Sequence, residues 1–324
     1  MVIKYNSFCI VVKIMRKFSK SEVVGMIELL ICAIIWGMAF VAQKKASENI
    51  PALFLNGIRF FIAGLLLIPI SIFVIKKKKK VTTFSIKKTI LISFLAGLFL
   101  GIASNIQQLG IERTTTGKAG FLTAMYILLV PIFSFFVFKK KLSYLQIIGI
   151  VIAVVGVGLI SLKNDFTINL GDLLCMAGAV FFTIEIMIVD YYTKYIDPFI
   201  LSMICFLTIG ILSTCVSIPF EYKRISLEGI NNSILPLLYL AICSSCIAYT
   251  LQNLGQKRID GTPASLLMSL ESVFALIGGI FILNDRLSIK EWIGCILLLI
   301  GVFMVQIFIK KENIKENIEL EETS

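Results

Sequence analysis

The sequence predicts an all-α integral membrane protein of ten transmembrane helices, arranged as two inverted five-helix repeats. Three observations predict it: charge too sparse to wet a globule, apolar runs of bilayer length, and a self-match at one constant offset. Only 16% of the 324 residues are charged and 58% are hydrophobic, with a mean hydropathy of +0.93. A soluble domain carries charge at about 25% of positions, because its surface must be hydrated. Residues 27–41, 52–75, 90–106 and 293–309 are each nearly free of charge. Runs of about 20 residues match the hydrocarbon thickness of a bilayer.

In chain order the expected helices are α1 (23–43), α2 (51–75), α3 (88–111), α4 (115–138), α5 (143–162), α6 (171–192), α7 (198–219), α8 (234–256), α9 (262–283) and α10 (290–309). Pro51, Pro198 and Pro263 stand at or near helix starts, where a missing N–H costs little. The chain divides into an N-terminal arm (1–22), a first repeat (23–162), a second repeat (171–309) and a tail (310–324). Residues 9–14 are too short to span and are broken by Lys13, and no small-residue cleavage site follows them. The first 20 residues are therefore read either as an amphipathic basic arm or as sequence ahead of a true start at Met15.

The net charge of +11 sits in clusters at helix ends, at 76–80 and 139–141. No basic face is interleaved with aromatic platforms, which argues against nucleic acid. Such clusters anchor a helix at an anionic leaflet, so the bilayer is the expected partner. With the N-terminus inside, inner segments hold 21 Lys and Arg and outer segments 9, with Arg59 inside α2. The positive-inside rule then places both termini in the cytoplasm of a multi-pass plasma-membrane protein.

Eight cysteines lie mostly in apolar segments, and Cys243-Ser244-Ser245-Cys246 has no βαβ pattern around it, so these read as packing residues. The chain contains no histidine, which removes the commonest zinc ligand and general base. No metal or cofactor is expected.

Sliding the chain by 145 residues aligns α3–α5 with α8–α10 without a gap, with 16 identities over the 56 positions 102–157. They include Gln107/Gln252, Gly110/Gly255, Arg113/Arg258, Ser143/Ser288, Gly149/Gly294 and Gly156/Gly301. Apolar bias alone does not produce Gln, Arg, Gly and Ser matches at one offset, so the chain is a duplication. Five helices per copy is an odd number, so the second copy enters the membrane from the opposite side. That symmetry suits two halves rocking about a midplane site, as in many secondary transporters.

Several motifs resemble the EamA-type branch of the drug/metabolite transporter superfamily: Ile35-Trp36-Gly37 with Phe40; Pro51 with Arg59-Phe60; Asn105, Gln108 and Gly110 running into Thr114–Thr116; and Ala264 through Ser269-Leu270-Glu271 to Asn284-Asp285-Arg286-Leu287-Ser288. The resemblance covers roughly residues 25–309 and departs from the family pattern at Lys139-Lys140-Lys141 and at Ser272. It implies a transporter of small molecules and no enzyme.

Ionisable groups within a bilayer are costly and mark candidate sites. Arg59 has Phe206 as its counterpart in the second copy, and it either holds a substrate carboxylate bidentately or makes a structural ion pair. Glu271, whose counterpart is Tyr126, is either a proton-coupling site or a buried partner for Arg59. Glu185 is a site residue, a cytoplasmic gate or a snorkelling side chain. Ser104 with Gln108, and Tyr249 with Gln252 and Asn253, form stripes on equivalent faces of α3 and α8 that either line a cavity or bond helix to helix. Gln108 and Asn253 are expected to face that cavity. Trp36 caps it or packs, and Tyr126 and Ser269 complete the candidate substrate-binding set.

The expected function is gradient-driven export of amino acids or related metabolites, with a small-molecule substrate and protons as partners. No Walker A run is present, which argues against ATP coupling within the chain. Efflux of cationic drugs by the same fold is the alternative. A polytopic membrane enzyme ranks last, because the acids are scattered and show no metal-ligand spacing. Nothing in the sequence sets an oligomeric state.

Overall fold

The computed structural model describes residues 19–77, 81–114, 116–139, 142–161, 168–275, 277 and 288–322. Among the described residues the chain is helical, and its one isolated β-bridge joins Thr82 to Ile196. Among the described residues seven helices are long and apolar enough to cross a membrane: Lys20–Ser47, Ala52–Lys77, Ile86–Arg113, Lys118–Phe138, Leu170–Tyr192, Pro198–Arg224 and Ile234–Gln256. They correspond to α1–α4 and α6–α8. The α5 helix (Tyr144–Ser161) is shorter, and most of the second half of α9 lies outside the described residues. The α10 helix runs from Ile289 to Glu322, so the segment expected as a solvated tail continues it. Large apolar side chains such as Phe61, Ile70, Phe73, Phe136 and Phe303 point outward, the surface a bilayer solvates.

The helix starts have local causes. Ser19 Oγ accepts the Glu22 N–H at 3.1 Å while Glu22 Oε2 accepts the Ser19 N–H at 2.6 Å. Asn169 and Asp172 exchange the same pair of bonds at the start of α6, at 2.9 and 3.0 Å. Each capping box satisfies two N–H groups that a helix start leaves open. Asp197 caps α7 and Pro198 fills its first position, where the absent N–H is not missed.

Two helices break at equivalent places. In α4, Thr116–Ala124 gives way at Met125 to Tyr126–Phe138. In α9, Gly261–Met268 ends in a turn at Ser269 and Leu270, and helix resumes at Glu271. The bonds Met125 N–H to Leu122 O and Leu128 N–H to Met125 O recur 145 residues later as Leu270 to Leu267 and Val273 to Leu270. Both breaks are thus tightened i→i+3 turns. The symmetry fails in α8, where Tyr239–Ala248 winds as a π-helix while the aligned stretch of α3 stays α-helical.

Helices pair antiparallel at glycines. A Cβ on Gly301 would stand 2.5 Å from the Gly149 carbonyl, and one on Gly294 2.7 Å from that of Gly156. Bare glycine lets the backbones of α5 and α10 touch, the packing available where lipid supplies no hydrophobic drive. In the same way α2 meets α7, where Gly64 abuts Leu207 and Gly210 abuts Phe61. Gly110 and Gly171 join α3 to α6, as Gly255 and Gly25 join α8 to α1. Beside those last two contacts, Arg113 donates to Leu109 O at 2.6 Å and Arg258 to Leu254 O at 2.8 Å.

Both ends of the bundle are tied. Where α1 begins, Arg258 pairs with Glu28 at 2.7 Å and the Asp197 N–H bonds Val81 O at 2.8 Å. At the opposite end, Lys44 Nζ donates to Ile111 O at 2.7 Å, capping the close of α3. There too Glu221 accepts the Phe54 N–H at 2.9 Å, and Asp172 takes a bond from Thr114 and an ion pair from Lys118 at 3.7 Å.

Candidate functional site

A cavity partly open to solvent lies at the centre between α1, α2, α3, α4, α6, α8 and α9. The broken helices aim at it, since Tyr126 and Glu271, the residues just after each break, both line it. So do Trp36 and Gln43 of α1, Arg59 of α2, Gln107 of α3, Phe182 and Glu185 of α6, and Ser244, Tyr249 and Gln252 of α8.

One wall is aromatic. The Trp36 and Tyr249 rings meet edge to face at 4.6 Å, and Tyr249 lies 5.6 Å from Phe60 and 6.1 Å from Phe206. The Trp36 indole N–H donates to Ser244 O at 3.2 Å. That carbonyl belongs to the π-helix, whose irregular turn presents backbone oxygen to a neighbouring helix.

Arg59, Glu185 and Glu271 share the cavity, each at most 4% exposed. The Arg59 guanidinium packs 4.7 Å from the centre of the Phe60 ring, and its Nε has no hydrogen-bond partner. No ion pair among the described residues involves it. Glu271 Oε1 accepts the Tyr126 hydroxyl at 3.3 Å, and Glu185 Oε2 accepts Gln252 Nε2 at 3.1 Å. A buried guanidinium without a carboxylate is expensive.

Of the residues singled out from the sequence, Trp36, Arg59, Tyr126, Tyr249, Glu185 and Glu271 lie together on this wall. Ser104, Gln108, Asn253 and Ser269 do not: neighbouring helices claim the side chains of Gln108 and Asn253, and Ser269 bonds within its own helix. Gln108 Nε2 donates to Ser47 Oγ at 2.7 Å and Asn253 Nδ2 to Ser202 Oγ at 2.7 Å. The Ser104 carbonyl accepts from Asn56 at 2.9 Å, and Ser269 Oγ turns back to Leu266 O at 2.7 Å. These are the bonds that polar groups make between and within membrane helices. The polar stripe does reach the cavity, but through Gln107, which donates to Thr123 at 3.0 Å, and Gln252. Identity at the 145-residue offset singles out those two glutamines and passes over Gln108 and Asn253. No group of three or more Cys, Asp or Glu among the described residues could hold a metal.

Residues 23–162 and 169–307 each match the model of the EamA-like transporter family. An uncharacterized transporter of Archaeoglobus fulgidus is 31% identical over 284 residues, covering 86% of this chain and 84% of that protein. A probable amino-acid metabolite efflux pump of Escherichia coli is 26% identical over 302 residues, covering 86% and 93%. A crystal structure whose protein bears no further description shares the fold, with a TM-score of 0.72 at 18% identity over 88% of this chain and 96% of the other. With repeated family matches on both halves and apolar helices to cross a bilayer several times, the chain is a multi-pass membrane protein that belongs to the EamA-like transporter family.

Proposed function

We propose that this protein is a secondary transporter that exports amino acids or related small metabolites by alternating access. Ten membrane-spanning helices, in two inverted five-helix halves, would sit in the plasma membrane with both termini cytoplasmic. The packing supports the inversion. A two-fold exchanging α1–α5 with α6–α10 maps the α2–α7 and α5–α10 contacts onto themselves, and maps α3–α6 onto α8–α1. The 21 to 9 split of basic residues supports the orientation. The Escherichia coli relative named as an amino-acid metabolite efflux pump supports the substrate class.

The observation that carries the reading is Arg59, buried on the cavity wall with an unpartnered Nε. Its planar fork takes a substrate carboxylate bidentately. Tyr126 and Glu271 supply a hydroxyl–carboxyl pair at the two helix breaks, where a proton can be carried as the halves rock. Arg59→Ala inserts normally but loses export, and Arg59→Lys recovers part of it. Equal export by all three versions would reduce Arg59 to packing.

The two acids in the same cavity favour a second reading, efflux of cationic drugs. Under it, Arg59→Ala leaves export of an organic cation intact or raises it, because a repelling charge has gone.

A further inference from the structure

We infer that Glu185 and Gln252 Oε1 form an ammonium-binding subsite, so that the transported molecule carries a protonated amine as well as a carboxylate. This rests on reading the central cavity as the substrate site. The inference comes from a hydrogen-bond chain whose direction the backbone dictates. Gln256 Nε2 donates to Ile186 O at 3.1 Å, and a backbone carbonyl only accepts. Gln256 must therefore turn its Oε1 toward Gln252, whose Nε2 donates to it at 3.0 Å. The same Nε2 spends its other hydrogen on Glu185 Oε2 at 3.1 Å. Gln252 Oε1 is left buried without a partner.

Two consequences follow. Glu185 receives its bond from an amide N–H, which only donates and which bonds a carboxylate more strongly than a neutral acid. Glu271 differs, because its partner is the Tyr126 hydroxyl, which can donate or accept in either protonation state. The two cavity acids thus differ in their partners: an amide N–H faces Glu185 and a hydroxyl faces Glu271. The subsite also offers only acceptors, a carboxylate beside an orphaned amide oxygen, and a ligand must bring N–H donors to satisfy them. In the same cavity Arg59 offers only donors. Trp36, Phe182 and Tyr249 line the same cavity, and aromatic rings suit a cation. A molecule with one ammonium and one carboxylate meets both needs.

The test is calorimetric titration of the full-length protein in lipid nanodiscs with each standard amino acid. The tightest binder is then compared with its decarboxylated amine and its deaminated acid. Glu185→Gln is expected to weaken the amino acid and the amine by about 30-fold or more, while the deaminated acid binds at least as well as to the wild type. Gln252→Leu, which removes the amide acceptor, lowers amine binding and spares the acid, whereas a general packing defect would lower both. Equal amine affinity in the wild type and Glu185→Gln overturns the subsite. If Arg59→Ala still loses the deaminated acid in that case, the transport site stands without it. Absence of binding by any amino acid to the wild type removes both readings.

Discussion

Tyr126 and Glu271 stand 145 positions apart, occupy equivalent places in the two copies, and are hydrogen-bonded to each other at 3.3 Å across the cavity. Each follows a helix break closed by the same i→i+3 bonds. Duplication has brought one position face to face with itself, and divergence has made one side a phenol and the other a carboxyl.

That pair predicts the coupling behaviour. Glu271→Gln mimics the protonated acid permanently. In proteoliposomes the variant is expected to exchange substrate down its own gradient but not to concentrate it when a pH gradient is imposed. Accumulation driven by pH in Glu271→Gln would move the coupling role elsewhere. A wild type indifferent to the pH gradient would replace proton coupling with exchange or facilitated diffusion.

The α5–α10 contact predicts a stability defect without a site defect. At Gly156 a Cβ would lie 2.5 Å from the Leu298 amide nitrogen and 2.8 Å from the Gly294 carbonyl, so Gly156→Leu forces the helices apart. Overpacking of this kind costs about 1–3 kcal/mol, read as a lowered thermal midpoint in detergent. An unchanged midpoint would mean that α5 and α10 separate in solution.

Asp172 should be more sensitive still. It serves the α6 capping box, accepts from Thr114 and pairs with the buried Lys118. Asp172→Ala leaves that ammonium without its carboxylate, a loss on the order of 3 kcal/mol. Denaturation midpoints of Asp172→Ala and Asp172→Asn measure it, and the asparagine should recover the cap but not the ion pair.

Orientation is tested at Ser324. A tag placed there is expected to resist protease added outside intact cells and to be cleaved once the membrane is opened. Cleavage in intact cells would reverse the proposed topology.

Much of this was legible in residues. Pro51 and Pro198 mark the starts of α2 and α7, because the absent N–H costs little there. Arg59, Glu185 and Glu271 drew attention because charge in an apolar run has few tolerable places, and the structure brings all three to one cavity. The stripes on α3 and α8 were legible as polar but not in their facing, since neighbouring residues differ by about 100° around a helix. Hence Gln107 and Gln252 line the cavity while Gln108 and Asn253 bond to neighbouring helices. The breaks at Met125 and Leu270 left no mark, because neither residue is a glycine or proline and tertiary packing imposes the tight turn. The π-helix at 239–248 is equally silent, since Tyr, Leu, Ala and Cys are as compatible with an α-helix.

The chain has two tryptophans, and they are placed very differently. Trp36 lines the cavity with its indole N–H on the π-helix carbonyl, while Trp292 on α10 is 58% exposed at the periphery. The protein therefore contains its own optical gauge. With Trp292→Phe as background, the emission wavelength of Trp36 reports the wetness of the cavity without a label. Each cycle of opening and closing would be readable as a colour change from a single indole.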